Sequence, residues 1–203
     1  MHARVLSGHS RPGAMTELAR LFTGEAHIHT LPRAGYQGAL LVGDQGTGKL
    51  LLITLWDSEQ AMQAGEQDGY LQERLGNFAH LLLNAPARDH YEVQAEAGTL
   101  GAAATGAVAR VTSGQAQADK LDDIGRIFQG DVMPVFQTQA GFIGTLLLGN
   151  NANNKSMAVS LWHTEADLRA SEHSGYYHEQ IAKLAHLYAG AANREHYQVL
   201  AHL

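Results

Sequence analysis

Cysteine is absent from this sequence of 203 residues, and no apolar stretch reaches the roughly 18 residues that a membrane-spanning helix requires. Without cysteine, disulfide bonds, thiolate nucleophiles and zinc–sulfur sites are excluded. The first residues, MHARVLSGHSRPG, lack the charged and then apolar pattern of a signal peptide. We therefore expect a cytoplasmic protein without a membrane partner.

Positive charge is also scarce, since the formal net charge is −6 and the pI is near 6.0. We expect no nucleic-acid partner, because such proteins present a basic face. Histidine is frequent, with 12 copies. However, His27 and His29 lie two positions apart, where helical side chains diverge, and no His-Glu-x-x-His motif occurs. We expect no metal site.

The chain contains an internal repeat. Residues 1–97 align with residues 107–203 without a gap, and 32 of the 97 aligned pairs are identical. Between the copies lies GTLGAAATG (98–106), whose small, uncharged residues are typical of a flexible linker. The sequence therefore predicts two domains, 1–97 and 107–203, joined by the linker 98–106.

A glycine-rich stretch, VGDQGTGKL (42–50), resembles a phosphate-binding loop. Such a loop needs a helix directly after its lysine. Here an apolar strand pattern follows the lysine, and the second copy reads GNNANNKS (149–156). Because glycine and asparagine tolerate positive φ, both stretches are predicted to be hairpin loops and not nucleotide sites.

Both copies show one order of elements. The predicted elements of the first copy are a strand at 2–8, a helix from Met15 to about Ile28, strands at 36–42 and 50–56, two helical segments from about Ser58 to Leu83, and a strand at 88–95. Ser58 and Thr164 are predicted to cap the first of the two segments, and Asp68 and Ser174 the second.

This order is that of a ferredoxin-like domain. Leu50 to Leu55 place apolar side chains on both faces of the third strand, so neither face suits water. We therefore predict an α+β fold in which two tandem ferredoxin-like (βαββαβ) domains pack sheet to sheet. One chain would then form the barrel that a single-domain relative forms as a homodimer, and further dimerisation stays open.

Two motifs carry a resemblance to a known family. Gly35-Tyr36-x-Gly38 and Leu55-Trp56-x-Ser58-Glu59 recur as Gly141-Phe142-x-Gly144 and Leu161-Trp162-x-Thr164-Glu165. They resemble the antibiotic biosynthesis monooxygenase family of dimeric α+β barrels. The resemblance covers nearly the whole chain, twice. It implies an oxidoreductase that deprotonates an aromatic phenol, whose anion then reduces oxygen without a cofactor.

The haem-degrading branch of this family is identified by an asparagine on strand one, followed by a tryptophan and a histidine after strand three. None of the three residue types stands at the matching positions of either copy, which are Leu6 or Ser7, Gly65 and Leu75, and Thr112 or Ser113, Ser171 and Ile181. The resemblance therefore does not imply haem degradation by that mechanism.

Polar residues on the first and last strands are the candidates for catalysis. Arg4 and Arg110 recur on the first strand, and His90 and His196 recur on the last strand, which pairs with the first in a ferredoxin-like sheet. A histidine near neutral pH beside an arginine can take a phenolic proton and hold the resulting anion. The alternative is a polar cluster that only stabilises the fold.

The predicted substrate-binding residues flank these positions and are Trp56, Trp162, Thr54, Ser160, Tyr91 and Tyr197. The two tryptophans end the third strand, where an indole can stack on an aromatic substrate or simply fill the core.

A polar stripe also recurs on the helices that follow, formed by Glu66, Tyr70, Glu73 and His80 and by Glu172, Tyr176, Glu179 and His186. An apolar stripe opposite must face the sheet. We therefore expect the polar stripe to be solvated or to contact a neighbouring chain.

The leading prediction is a cofactor-independent monooxygenase that acts on an aromatic small molecule. The alternative is a non-catalytic ligand-binding or structural barrel, and a third is a haem-binding protein with His90 or His80 as the ligand. Whether one copy or both hold a working pocket stays open.

Overall fold

The computed structural model describes residues 1–26, 33–67 and 69–203. The strands are β1 (His2–His9), β2 (Tyr36–Gly43), β3 (Lys49–Trp56), β4 (Ala87–Gly98), β5 (Val108–Gln115), β6 (Phe142–Asn150), β7 (Lys155–Trp162) and β8 (Asn193–His202). The α-helices are α1 (Met15–Leu21), α2 (Glu59–Gln67), α3 (Tyr70–Phe78), α4 (Leu121–Ile127), α5 (Met133–Gln137), α6 (Glu165–His173) and α7 (Tyr176–Ala185). Within these ranges, no helix combines the length and apolar character that crossing a membrane demands.

Hydrogen bonds link the strands in the order β1–β3–β2–β8–β5–β7–β6–β4, and this order closes into a barrel. The predicted fold class, an α+β chain whose tandem ferredoxin-like copies close one barrel, is confirmed. The expected pairing of the last strand of the first copy, β4, with β1 is also present.

The chain divides into two compact units, residues 1–90 with 198–203, and residues 91–197. In the first unit the end of β8 pairs with β2, where Leu40 lies opposite His202. In the second unit β4 pairs with β6, where Glu92 lies opposite Gly149. The compact units therefore do not coincide with the two repeats, because each unit contains a strand segment from the other repeat.

Part of the segment 98–106 has regular structure. Its Thr99 amide donates to the Ile143 carbonyl at 3.2 Å, a 3₁₀ turn follows at Leu100–Ala102, and Ala103 is buried. The flexibility of the segment stays a prediction.

The glycine-rich stretch between β2 and β3 is a hairpin loop, as predicted. Asp44 accepts hydrogen bonds from the Gly46 amide at 2.9 Å and the Thr47 hydroxyl at 2.6 Å, and Gly48 has a φ of 75°. Strand β3 begins directly at Lys49, so the backbone does not form a phosphate-binding loop.

The two predicted N-caps of α2 and α6 are confirmed. Ser58 Oγ accepts the Ala61 amide, and Thr164 Oγ1 accepts the Asp167 amide, both at 3.1 Å. The prediction that Ser174 caps the next helix is wrong, because Gly175, with a φ of 86°, directly precedes α7.

Three residues named above, His27, His29 and Asp68, lie outside the described residues, as does the predicted end of the first helix at Ile28. Within the described residues, α1 and α4 both continue into a π-helical turn, at Phe22–Ala26 and Phe128–Val132. Such turns are rare and often occur at functional sites.

Candidate functional site

A carboxylate on α2 is the centre of an ion cluster in the first unit. Glu66 Oε1 accepts a hydrogen bond from Arg4 Nη1 at 3.3 Å and lies 2.8 Å from His90 Nε2. The other carboxylate oxygen lies 3.0 Å from Arg88 Nη1. Helix α2 and strands β1 and β4 thus meet at one side chain.

The second unit repeats this cluster around Glu172 on α6. Its Oε1 lies 2.9 Å from His196 Nε2, 3.5 Å from Arg110 Nη1 and 3.6 Å from Arg194 Nη1. Arg110 is 1% exposed, so its charge is buried together with that of the carboxylate. The same set of one glutamate, two arginines and one histidine on corresponding elements shows that this arrangement belongs to both repeats.

The carboxylate of Glu172 stays ionised although it is largely buried. Burial works to raise its pKa. The hydrogen bond and charge of His196, followed by the charges of Arg194 and Arg110, outweigh burial and hold the pKa below its usual value. The cluster therefore keeps a negative charge next to two guanidinium groups at neutral pH.

The expectation of a solvated polar stripe is wrong for the two glutamates at the centres of the clusters. The side chains of Glu66 and Glu172 are only 13% and 12% exposed. Gly69 and Gly175, with φ of 79° and 86°, break the helix directly after them. The glutamates therefore do not share a face with the residues that follow. The sequence did contain a signal for this role, because both glutamates recur in the two copies together with the two arginines and the histidine.

The other members of that stripe behave differently. Glu73, His80, Glu179 and His186 are exposed, as expected. Tyr176 is buried and accepts a hydrogen bond from Arg110 Nη2 at 3.2 Å, so the expectation is wrong for Tyr176 as well.

The predicted polar residues of the sheet lie in matching register. Arg4 lies opposite Thr54, and Arg110 lies opposite Ser160. His90 and Arg4 both contact the carboxylate of Glu66. The structure thus brings the predicted residues Arg4 and His90 together. The carboxylate of Glu66 lies between them, and Glu66 was not among the predicted site residues.

Both tryptophans lie in the core. Trp56 is 1% exposed and Trp162 is fully buried. Their indole nitrogens donate to Thr54 and Ser160, each at 3.1 Å. The guanidinium carbon of Arg110 lies 5.2 Å from the centroid of Trp162. These contacts fit the core-filling alternative. Tyr91 and Tyr197 are also buried.

The second unit contains a cavity of about 430 Å³ between its strands and its helices. The π-helical turn, α5 and α7 provide one wall, and β5, β6 and β7 provide the other. The principal apolar lining residues are Phe128, Val132, Phe136, Leu147, Ile181 and Leu184.

Polar groups occur on the sheet side of the cavity and at its edge. Thr112 Oγ1 and the Tyr177 hydroxyl lie 3.0 Å apart. The guanidinium carbons of Arg110 and Arg194 lie 4.2 Å and 5.0 Å from the centroid of the Tyr177 ring. Burial raises the pKa of Tyr188, so this lining residue stays a neutral phenol.

The predicted site residues of the second copy divide between cavity and core. Arg110 and Ser160 line the cavity, whereas His196, Trp162 and Tyr197 do not. His196 stays on Glu172, behind the arginines, with 37% of its side chain exposed.

Four positions in the cavity lining differ in character between the repeats. Leu6, Leu52, Leu71 and Leu82 stand where the second repeat has Thr112, Ala158, Tyr177 and Tyr188. Of these leucines, Leu6, Leu71 and Leu82 are buried. The two repeats therefore share the ion cluster and differ in the residues beside it.

No group of three or more histidine, aspartate or glutamate side chains within the described ranges is arranged to hold a metal ion. The ion clusters each contain one carboxylate and one histidine, with arginines completing the set.

Comparison with known proteins finds similarity in structure alone. The chain matches no protein-family model and no curated protein. Among solved structures, a candidate monooxygenase from Fusobacterium nucleatum is 11% identical, with a TM-score of 0.79 over 99% of this chain and 93% of that one. An anthrone oxidase-like protein is 13% identical, with a TM-score of 0.70 over 100% of this chain and 92% of that one.

A third solved structure carries the family name. An uncharacterized ferredoxin-fold protein related to antibiotic biosynthesis monooxygenases, from Listeria monocytogenes, is 13% identical. Its TM-score is 0.56, over 97% of this chain and 94% of that one. The chain thus has the fold of antibiotic biosynthesis monooxygenase-like proteins, as the resemblance implied.

Proposed function

We propose that the chain is a cofactor-independent monooxygenase of an aromatic, phenol-forming molecule, and that the cavity of the second unit is its active site. The observation that carries this proposal is an apolar cavity of about 430 Å³ with the buried cation Arg110 in its wall. Small-molecule sites typically measure roughly 300–1,000 Å³ and combine apolar walls with a few polar groups.

The descriptions of two neighbours support the proposed substrate class. Two of the similar structures are described as a candidate monooxygenase and an anthrone oxidase-like protein. An anthrone is a tricyclic ketone whose tautomer is a phenol, and Phe128 and Phe136 offer the flat apolar contacts that such rings need.

In this proposal Arg110 stabilises the substrate as an anion. A buried, preorganised guanidinium favours the charge that develops when the phenolic proton leaves. The hydroxyl pair of Thr112 and Tyr177 orients the substrate oxygen. His196 is held by Glu172 outside the cavity lining, and it accepts the proton through water.

The oxidation then uses only substrate and oxygen. The substrate anion gives its electrons to O₂ and forms a carbon–oxygen bond. One oxygen atom stays on carbon as the new quinone carbonyl. The other leaves as water with the two hydrogens that the carbon loses.

The first unit has a structural role in this proposal. Its repeat holds leucine at the four positions that give the second repeat its cavity hydroxyls and its small Ala158. Leucine offers no hydrogen bond to a substrate oxygen.

A second candidate function is ligand binding without turnover. It is favoured by the cavity lining, which does not include His196 and, among the described residues, contains no aspartate or glutamate and one histidine, the exposed His178. A general base must come within hydrogen-bond reach of its proton, directly or through one water.

Oxygen uptake with anthrone as the probe tests the proposal. We expect wild-type protein to consume one O₂ per anthrone and to form the quinone, measured by an oxygen electrode and by absorbance after subtraction of spontaneous oxidation. The matched variant Ala158→Leu fills the cavity with the residue of the first repeat and should reduce oxygen uptake above the spontaneous rate about 100-fold. Saturable anthrone binding without uptake above that rate would refute the monooxygenase and establish the binding function.

A further inference from the structure

We infer that the cavity of the second unit accepts an aromatic molecule bearing a carboxylate, and that Arg194 binds this carboxylate. The inference rests on the proposed function because it names the substrate class of the same cavity. It is argued from the charge of the lining, the contacts of Arg194 and the comparison with Arg88.

The cavity lining is positively charged in a chain that is negative overall. The formal net charge of the chain is −6. The lining nevertheless contains Arg110 and Arg194, and no aspartate or glutamate among the residues that the structure describes. Glu172 lies behind the two arginines and balances one of their charges. The remaining positive charge favours an anionic ligand.

The two arginines differ in what they can still bind. Arg110 is buried and donates to Ser171 Oγ at 3.1 Å and to the Tyr176 hydroxyl at 3.2 Å. Arg194 is 37% exposed, and its contact with Glu172, at 3.6 Å, is longer than a hydrogen bond. Its guanidinium stacks on Tyr177. Arg194 therefore has N–H donors available at the edge of the cavity.

The corresponding arginine of the first unit is engaged. Arg88 Nη1 lies 3.0 Å from Glu66, within hydrogen-bond distance, whereas Arg194 stays 0.6 Å farther from Glu172. The arginine at this position therefore lies within hydrogen-bond distance of the carboxylate in the first unit and beyond that distance in the second. A carboxylate ligand is planar and takes a guanidinium in two parallel hydrogen bonds.

The lining also fixes the orientation of the ligand. Gly190, Ala191 and Ala192 line the cavity next to Arg194 and leave space for a charged group. The aromatic wall of Phe128 and Phe136 lies on the helix side. The rings of the ligand therefore lie inside the cavity, and the carboxylate lies at the edge on Arg194.

Affinity measurements with 2-naphthoate and its neutral isostere 2-naphthamide test this inference by calorimetry. We expect wild-type protein to bind naphthoate at least about 30-fold more tightly than naphthamide, which corresponds to about 2 kcal/mol. Arg194→Met should remove the preference while naphthamide affinity stays within about threefold. The matched variant Arg88→Met should keep the preference.

Equal affinity of wild-type protein for the two probes would overturn the inference, and so would a preference that survives in Arg194→Met. If circular dichroism shows that Arg194→Met is unfolded, the wild-type comparison alone decides the outcome. Calorimetry needs no turnover, so the two proposals fail separately. A preference for naphthoate without anthrone oxidation would refute only the proposal that the chain is a monooxygenase. Anthrone oxidation without that preference would refute only the inference that the ligand carries a carboxylate.

Discussion

The two units of this chain share an ion cluster and differ in the residues beside it. Glu66 and Glu172 each collect two arginines and a histidine from the same strands. Around the second cluster, the hydroxyls of Thr112 and Tyr177 replace leucines. The comparison teaches that the cluster is common to both repeats, whereas the hydroxyl pair in the described cavity is a feature of the second repeat.

This difference separates stability from function within one molecule. In both units a buried carboxylate between guanidinium groups holds a helix to two strands. The hydroxyl pair of Thr112 and Tyr177, and the longer contact between Arg194 and its carboxylate, distinguish the second unit. Changes to the cluster should therefore affect both units alike, and changes to the cavity should affect only one.

The largest expected effect comes from removing the central carboxylates. Glu66→Gln and Glu172→Gln should each lower the free energy of unfolding by about 3 kcal/mol, because Arg4 or Arg110 is left buried without its counter-charge. Urea denaturation measures both values. The exposed Glu73 on α3 is the control, and Glu73→Gln should change stability by less than about 0.5 kcal/mol.

A large loss in only one of the two glutamine variants would contradict the equivalence of the clusters. The pH dependence sharpens the test for Glu172, whose folded-state pKa is lowered. The advantage of wild type over Glu172→Gln should be fully present above the ordinary carboxyl pKa of 4.5 and should disappear as pH falls through the folded value. An advantage that persists below that range would contradict the ionic origin.

Exchanging residues between the repeats should separate stability from turnover. Leu52→Ala, which gives β3 the residue of β7, should cost about 2 kcal/mol and leave turnover unchanged. Ala158→Leu should change stability by less than about 1 kcal/mol and reduce turnover about 100-fold, because the longer side chain occupies the cavity. Unfolding curves and oxygen uptake provide the two readouts. Loss of turnover in Leu52→Ala would place function in the first unit as well.

A smaller effect is expected from the phenol of Tyr188. Its hydroxyl donates to Ser156 Oγ at 3.1 Å, and the first repeat has Leu82 at this position. Tyr188→Phe should destabilise the chain by about 1 kcal/mol through loss of one hydrogen bond. Thermal unfolding measures the change. A shift above about 3 kcal/mol would mean that the hydroxyl supports more of the core than this one contact.

The smallest difference from wild type is expected for substitutions of the two N-cap residues. Ser58→Ala and Thr164→Ala should each cost about 1 kcal/mol, because each removes one acceptor for an orphan amide of α2 or α6. Oxygen uptake should stay at the wild-type rate in both variants. A rate change in Thr164→Ala alone would show that the start of α6 positions Glu172 for function.

Much of the fold could be predicted from the sequence, because duplication supplies every signal twice. Strand patterns, the hairpin loops and the caps at Ser58 and Thr164 are local properties that one short window contains. The register that places Arg4 opposite Thr54 could not be predicted, because it depends on the pairing of β1 with β3. The barrel followed from strands that are apolar on both faces.

The site could be predicted only in part, because it depends on contacts between distant segments. Treating α2 and α3 as one helical stripe sent Glu66 to solvent, whereas the positive φ of Gly69 turns the chain between them. Trp56 fills the core, since its indole finds Thr54 as a buried partner. The cavity depends on small differences between the repeats, such as Ala158 at the position that aligns with Leu52. The effect of such a difference on the cavity can be judged only when the residues that surround it in the structure are known.

The stoichiometry of 2-naphthoate binding, measured by calorimetry, tests most directly the claim that one unit carries the ligand site. We predict one molecule per chain for wild type, and no detectable binding to Ala158→Leu at equal protein concentration. Two equivalent molecules per chain, or one molecule still bound by Ala158→Leu, would contradict the account.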